Sequence, residues 1–545
     1  MNRRSLRITG MTCEHCARSV EAALNAVPGV RAHVDFASAT ARVEVDQGVS
    51  PEALVRAVAE SGYRARLLEE RPRSESMAGG PATRIAIVGG GSAAFAAALE
   101  AASRGAQVTL VEAAPVLGGT CVNVGCVPSK ILIRLAEIAH LQARHPFEGL
   151  AHCVPAVDRA AQLRQQQARV AELRHAKYEA LLEGRETIRL LRGRARFATP
   201  HRLLVRHADG TETEVRAEGV LIATGARPAV PEIPGLADTP FWTSTEALAA
   251  ETVPEHLVIL GGSVVAVELG QAFRRLGAAV TILARSRLLS REDPALGAGL
   301  RAAFEAEGIR VLCDTVPTAV RHGVGGFVLE TRHGVIEGDR LLVATGRTPN
   351  TAGLGLERIG VETDVQGAIL VDDHLRTSVS HIYAAGDCTE LPQYVYVAAA
   401  AGTRAAVNLT GGDARLDLSV LPTVTFTDPA VASVGLTETQ ARQRGLEAEA
   451  RILDLGQVPR ALANFDTCGF IKLVADARHG RLLGAQVLAA GAGEVIQSAA
   501  LAIGAGMTVD ELAGRLFPYL TLVEGLKLCA QTFRKDVGQL SCCAG

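Results

Sequence analysis

Short runs in which apolar and polar residues alternate open the chain, and stretches with apolar residues three or four apart come between them. Leu6 and Ile8 alternate before a turn at Gly10; Ala17, Val20 and Leu24 then recur along one helix face, and that helix ends near Pro28-Gly29. Val30 to Phe36 and Ala41 to Val45 read as strands, Pro51 to Glu60 as a second helix, and Tyr63 to Leu67 as a last strand. The order predicts a ferredoxin-like βαββαβ unit over 1–69, a sheet with both helices on one face. The pattern then stops. Residues 70–83 mix Pro72, Pro81, Ser74, Ser76, Gly79 and Gly80 with charges and carry little that could form a core, which predicts a flexible linker.

Beyond the linker, Arg84 to Glu112 reads strand, glycine turn, helix, strand, and Leu257 to Arg285 repeats it. The repetition predicts two Rossmann-like nucleotide-binding domains, the second inserted before a return at Leu341 to Asp387. Arg159 to Glu183 reads as one long polar helix with apolar residues at Val170, Leu173 and Leu181. From Leu421 onward short strands and helices alternate without another glycine fingerprint, which predicts a separate α+β domain able to form an oligomer surface. The fold class is thus multidomain α/β and α+β.

Composition narrows the function. The chain has 545 residues, 48% of them hydrophobic, and 56 Lys+Arg against 58 Asp+Glu, for a formal charge of -2. Apolar content this high over such a length supports several cores and excludes a disordered chain. The charge balance offers no broad basic surface for nucleic acid. An odd count of eleven cysteines fits poorly with a disulfide-stapled secreted protein, and no uncharged run of eighteen apolar residues occurs. A cytoplasmic protein is expected.

The first glycine motif is Gly89-Gly90-Gly91-Ser92-Ala93-Ala94 after an apolar strand. Gly89 permits the tight turn, Gly91 lets the backbone approach a pyrophosphate, and Ala94 allows close helix packing; Glu112, ending the second strand, can accept from ribose hydroxyls. The alternative is a merely structural turn. In the second motif Gly261 opens the turn, Ser263 fills the middle glycine position and Ala266 the last. No acid ends its second strand. Arg285 and Arg287 could pair with a 2′-phosphate, favouring NADPH over NADH, or form an ordinary surface pair.

Three cysteine pairs carry the remaining chemistry. Cys121 and Cys126, with four residues between them at a loop-helix boundary, can close a small ring, and the helix start can stabilise a thiolate at Cys126. Redox exchange with a nearby dinucleotide, a structural disulfide and a metal pair are the readings open to them. Cys13 and Cys16, in a loop entering a helix, suit capture of a soft metal or thioredoxin-like redox chemistry; adjacent Cys542 and Cys543 at the chain end suit metal or redox chemistry or are an incidental tail.

The run Gly-Thr-Cys-Val-Asn-Val-Gly-Cys-Val-Pro-Ser-Lys at 119–130, with Ala223-Thr224-Gly225, Ala344-Thr345-Gly346-Arg347 and Gly386-Asp387, resembles the FAD-containing pyridine nucleotide-disulfide oxidoreductases along 84–545. The resemblance implies a homodimer with an FAD domain over 84–235 and 346–415, an NADPH domain over 236–345 and a dimerisation domain over 416–545. It implies that Cys126 is the thiol nearer the flavin and Cys121 the exchanging one. Gly119, Thr120, Thr224, Gly225 and Asp387 would line FAD, Lys130 and Glu268 would form the pair near flavin N5, and Gly346 would belong to the flavin-nicotinamide region.

Relatives that reduce organic disulfides carry a proton-handling His-Pro pair before a C-terminal Glu. This chain reads Phe517-Pro518-Tyr519-Leu520-Thr521-Leu522-Val523-Glu524, so such a substrate is disfavoured. Together with Leu522 to Lys527 and Cys542-Cys543, that departure resembles the mercuric ion reductases. There Tyr178 and Tyr519 would line a buried Hg(II) site, and the terminal cysteines of one subunit would serve Cys121 and Cys126 of the other. Residues 1–69, with Cys13 and Cys16, resemble a heavy-metal-associated domain. The implied activity is NADPH-dependent reduction of Hg(II) to Hg(0), with small thiols as carriers and transient contact with a membrane mercury transporter; the rivals are an organic disulfide reductase and a cytosolic metal chaperone.

Overall fold

The computed structural model describes residues 2–9, 14–35, 40–46, 49–68 and 82–539. The turn at Gly10, linker residues 70–81, Cys13, Cys542 and Cys543 lie outside them. The chain divides into two compact units, Met1–Pro81 and Ala82–Gly545.

In the first unit, Asn2–Thr9 runs between Thr40–Val45 and Arg64–Leu68, both antiparallel to it, and Val30–Asp35 forms the far edge. Leu6 lies opposite Ala41, and Ile8 opposite Ala65. A period of two sends Leu6, Ile8, Ala41, Val43 and Val45 to one face, where Ala17, Val20 and Leu24 of helix Glu14–Asn25 and Leu54 and Val58 of helix Pro51–Glu60 bury against them. Ser50 caps the second helix by accepting from the Ala53 N–H, and Pro51 begins it where no donor is needed.

The second unit is built on two parallel sheets and one five-stranded antiparallel sheet, with smaller antiparallel sheets of two or three strands beside them. The first has the order Ile382–Ala384, Gly219–Ile222, Arg84–Val88, Gln107–Glu112, Ile188–Arg192; all its pairs are parallel. The second has the order Arg310–Leu312, Ala279–Leu283, His256–Leu260, Arg340–Val343, again parallel. Their central residues are apolar because both faces are covered: helices pack on one side, and on the other Phe197, Leu203 and Val205 of a small antiparallel sheet cover the first sheet while Phe327, Leu329 and Ile336 of another cover the second. In the first, helices Ser92–Ser103 and Val395–Leu409 pack so closely that a Cβ on Gly402 would stand 2.1 Å from the Ala93 carbonyl oxygen. From Thr423 to Ala489 five antiparallel strands form the third sheet, backed by helices Ala492–Gly504 and Glu524–Gln531. No helix among the described residues is long and apolar enough to cross a membrane.

Two local readings differ from the structure. The long polar helix is interrupted: Arg159–Arg174 is α-helical, His175–Glu179 makes a π turn in which the Ala180 N–H reaches the His175 carbonyl, and Ala180–Leu182 resumes. Cys121 lies inside a short helix, Gly119–Val124, and not in a loop, while Cys126 starts the next helix, Cys126–Ala143.

Candidate functional site

The thiol segment is shaped by glycines. Gly118 has φ +99°, and a Cβ there would lie 2.4 Å from Val122 Cγ1; one on Gly125, between the two helices, would lie 2.9 Å from the Thr120 carbonyl oxygen. Asn123 then ties the segment down. Its amide donates to the carbonyls of Leu117 at 2.8 Å and Gly119 at 2.9 Å and accepts from Arg174 at 3.1 Å.

Within this frame the two thiols are hydrogen-bonded. Donation from Cys121 is the main cause that lowers Cys126 from 9.0 to about 7, and Lys130, one turn further along the helix, assists. The donating partner moves the other way. Cys121 is pushed well above its ordinary value, first by that hydrogen bond and then by burial. Near neutral pH the pair thus passes into a thiol donating to a thiolate, with the thiolate at the first residue of an 18-residue helix. Tyr178, on the π turn, lies 3.3 Å from the Ser92 hydroxyl and packs edge-on to Phe95, with ring centroids 4.8 Å apart. Burial raises its phenol, and charge on either thiol raises it further.

Lys130 Nζ meets Glu268 Oε2 at 2.7 Å, with only 5% of the Glu268 side chain exposed. The other oxygen, Oε1, accepts from the Phe426 N–H at 2.9 Å, and the Phe426 ring lies 4.5 Å from Lys130 Nζ. Three segments far apart in sequence thus converge on one ion pair.

The glycine turns repeat one geometry. Gly89 has φ +119°, and its Cβ would stand 2.2 Å from the Ala223 carbonyl oxygen; Gly261 has φ +127°, and its Cβ would stand 2.1 Å from that of Ala344. Helices Ser92–Ser103 and Val264–Arg275 follow, capped by no side chain at Gly91 or Ser263, so their first N–H groups remain available for phosphate. Beside the first turn, a Cβ on Gly119 would lie 2.8 Å from Gly91 Cα, and Glu112 reaches across Gly90 while accepting from the Ala114 N–H at 2.6 Å. Gly225, Gly346 and Gly386 also have positive φ. Buried Arg347 Nε has no hydrogen-bond partner, Asp387 being 3.7 Å away, and burial raises the Asp387 carboxyl. Small residues and open helix N-termini fit the phosphate edge of a dinucleotide at both turns.

Ala94 is fully buried in the first Rossmann core and Ala266 in the second, whereas Thr120 is exposed beside the thiols. Thr224 gives its carbonyl to the Asn350 amide at 3.1 Å. Arg285 is exposed; Arg287, also exposed, donates to the carbonyls of Ser290 and Glu292 at 3.0 and 2.9 Å. Cys16 stands on helix Glu14–Asn25. Tyr519 is 60% exposed, just before Leu520 at φ +61°, and Glu524 is buried with Oε2 unpartnered. Cys529 is core: its thiol donates to the Ile471 carbonyl at 3.3 Å, and burial pushes it up to about 12. Sequence reasoning missed Gly402 and Phe426. The only signal for Gly402 was a glycine amid a helical apolar run, and Phe426 carried none.

Residues 83–402 match the pyridine nucleotide-disulphide oxidoreductase family, 421–530 its dimerisation domain and 5–64 the heavy-metal-associated domain. The chain is 57% identical to a mercuric reductase of Shigella flexneri, over 99% of this chain and 100% of that one, and 57% identical to one of Acidithiobacillus ferrooxidans, over 99% and 98%. Among solved structures, the Cu(II) complex of the HOCl-induced flavoprotein disulfide reductase RclA of Escherichia coli is 29% identical at a TM-score of 0.75, covering 84% of this chain and 100% of that one. LpdA of Mycobacterium tuberculosis is 30% identical at 0.75, covering 83% and 100%. Paired thiols, twin dinucleotide turns, the dimerisation domain and an N-terminal heavy-metal-associated domain, with similarity along almost the whole chain, place this chain in the mercuric reductase family.

Proposed function

We propose that the chain reduces Hg(II) to Hg(0), with NADPH as electron donor. The observation that carries the reading is the Cys121-Cys126 pair, a thiolate held by a thiol beside Lys130 and Glu268, because a soft cation is bound and exchanged through thiolate sulfur. Residues 84–235 with 346–415 would hold FAD through the Gly89 turn, Gly119, Thr224, Gly225 and Asp387. Residues 236–345 would hold NADPH through the Gly261 turn, with Arg285 and Arg287 toward its 2′-phosphate.

Cys13 and Cys16 collect Hg(II), and Cys542 and Cys543 of one subunit carry it to Cys121 and Cys126 of the other by ligand exchange, so the ion never returns to water. Each exchange forms one S–Hg bond as another breaks, and the released sulfur takes a proton or stays as thiolate. When bound, FAD reduced by hydride from NADPH supplies the two electrons that turn Hg(II) into Hg(0). Cys126, lowered to about 7, enters the exchange with a substantial thiolate fraction at neutral pH. Tyr178 and Tyr519 line the path of the ion. A homodimer is expected from the dimerisation domain; the cytoplasmic setting, small thiols as carriers and a membrane transporter as donor complete the proposal.

The test measures Hg(II)-dependent NADPH oxidation and volatile Hg(0) together, with excess small thiol, in wild type and in Cys121→Ala/Cys126→Ala. Both signals in the wild type and neither in the variant are expected. An FAD-loaded wild type that gives neither would overturn the reading.

A further inference from the structure

Phe426 follows the short strand Thr423–Thr425 and touches both members of the Lys130-Glu268 pair in different ways. Its backbone N–H holds Glu268 Oε1 at 2.9 Å, which leaves Oε2 to Lys130 Nζ at 2.7 Å. Its ring lies 4.5 Å from the same ammonium, inside the range at which the negative face of an aromatic ring attracts a cation. A lysine ammonium is a compact charge on a flexible four-carbon stem. Here it has a carboxylate oxygen and a ring face as fixed neighbours, and 34% of the side chain remains exposed.

The backbone that carries the ring is held in place. Two residues on, the Asp428 N–H donates to Gln271 Oε1 at 2.8 Å, Gln271 Nε2 donates to the Asp428 carbonyl at 2.6 Å, and Arg275 donates to Asp428 Oδ2 at 2.9 Å. Glu268, Gln271 and Arg275 stand at i, i+3 and i+7 on helix Val264–Arg275, so one helix face grips the backbone on both sides of the ring. These contacts fix the backbone that carries Phe426; the ring, 46% exposed, reaches Lys130 through its own rotamer.

We propose that Phe426 is a positioning residue of the redox site: its ring fixes the Lys130 ammonium and thereby the charge presented to the flavin. This rests on the reading above in which Lys130 faces bound FAD. Replacing the ring with an aliphatic side chain leaves the N–H bond to Glu268 intact and frees the ammonium to swing and hydrate. A cation held less closely stabilises the added electrons less, so the flavin becomes harder to reduce.

The measurement is the flavin midpoint potential of the full-length, FAD-loaded protein, equilibrated anaerobically against a reference dye with the thiols already reduced. Phe426→Leu is expected to move the reduction equilibrium about fivefold toward oxidised flavin, about 20 mV more negative at roughly 30 mV per tenfold for a two-electron couple. Phe426→Tyr keeps the π face and should match the wild type. Lys130→Met should shift the potential further, and Phe426→Leu added to it should change nothing more. Should the Leu variant lose FAD, Phe426→Met, which also lacks the ring, replaces it. A wild-type potential in the ring-free variant overturns the proposal, as does an equal shift in the Lys130→Met background. A wild-type potential in Lys130→Met itself overturns the reading of that lysine, and the positioning role falls with it.

Discussion

Replacing Cys121 with alanine removes the hydrogen bond that does most to lower Cys126, while Lys130 and the helix start stay in place. A hydrogen bond to a charged group contributes about 1.5–3 kcal/mol, and 1.36 kcal/mol corresponds to about one pKa unit. The Cys126 midpoint should therefore rise from about 7 to roughly 8–9. At pH 7 the thiolate population then falls roughly 5- to 50-fold. The alkylation rate falls less than that, because a more basic thiolate is also more nucleophilic, so the midpoint is the quantity to read. The assay follows iodoacetamide labelling of the reduced protein from pH 5 to 10 and quantifies the Cys126 peptide by mass spectrometry, which separates it from exposed Cys153 and Cys468. Cys121→Ser, whose hydroxyl can still donate, should lie between the two. An unchanged midpoint in Cys121→Ala would refute the thiol-to-thiolate assignment.

Three further outcomes are expected. Gly402→Ala puts a methyl 2.1 Å from the Ala93 carbonyl oxygen, so overpacking of about 1–3 kcal/mol should lower the melting temperature and weaken FAD retention, both read in one thermal scan with flavin fluorescence. Lys472→Met leaves Asp293, 4% exposed, without the cation 2.7 Å away; about 3–5 kcal/mol of stability should go in urea unfolding, and Lys472→Met/Asp293→Asn should recover most of it. Asn123→Ala takes the donor from the Leu117 and Gly119 carbonyls, and a loss of about 1–3 kcal/mol, with faster proteolysis at 117–126, is the expected result.

Legibility tracked how local each cause was. Leu6, Ile8, Ala17, Val20 and Leu24 were readable as core because period and burial coincide within a few residues, and positive φ at Gly89 and Gly261 follows from turns that few other residues can make. The helix around Cys121 was not readable: Gly118 and Gly119 argue against a helix by propensity, and the local bonds from Asn123 to Leu117 and Gly119, with the tertiary one from Arg174, override them. The π turn at His175–Glu179 adds one residue to a helical ladder without changing composition, so no pattern announces it, although it carries Tyr178 to Ser92. Phe426 shows the deeper limit. Periodicity states which side of an element a residue faces, whereas the contact with Lys130 depends on which segment of the C-terminal sheet the Glu268 helix face grips. The chemistry-bearing residues were therefore identifiable by type and spacing, while those that set the charge around them depend on how separate domains pack.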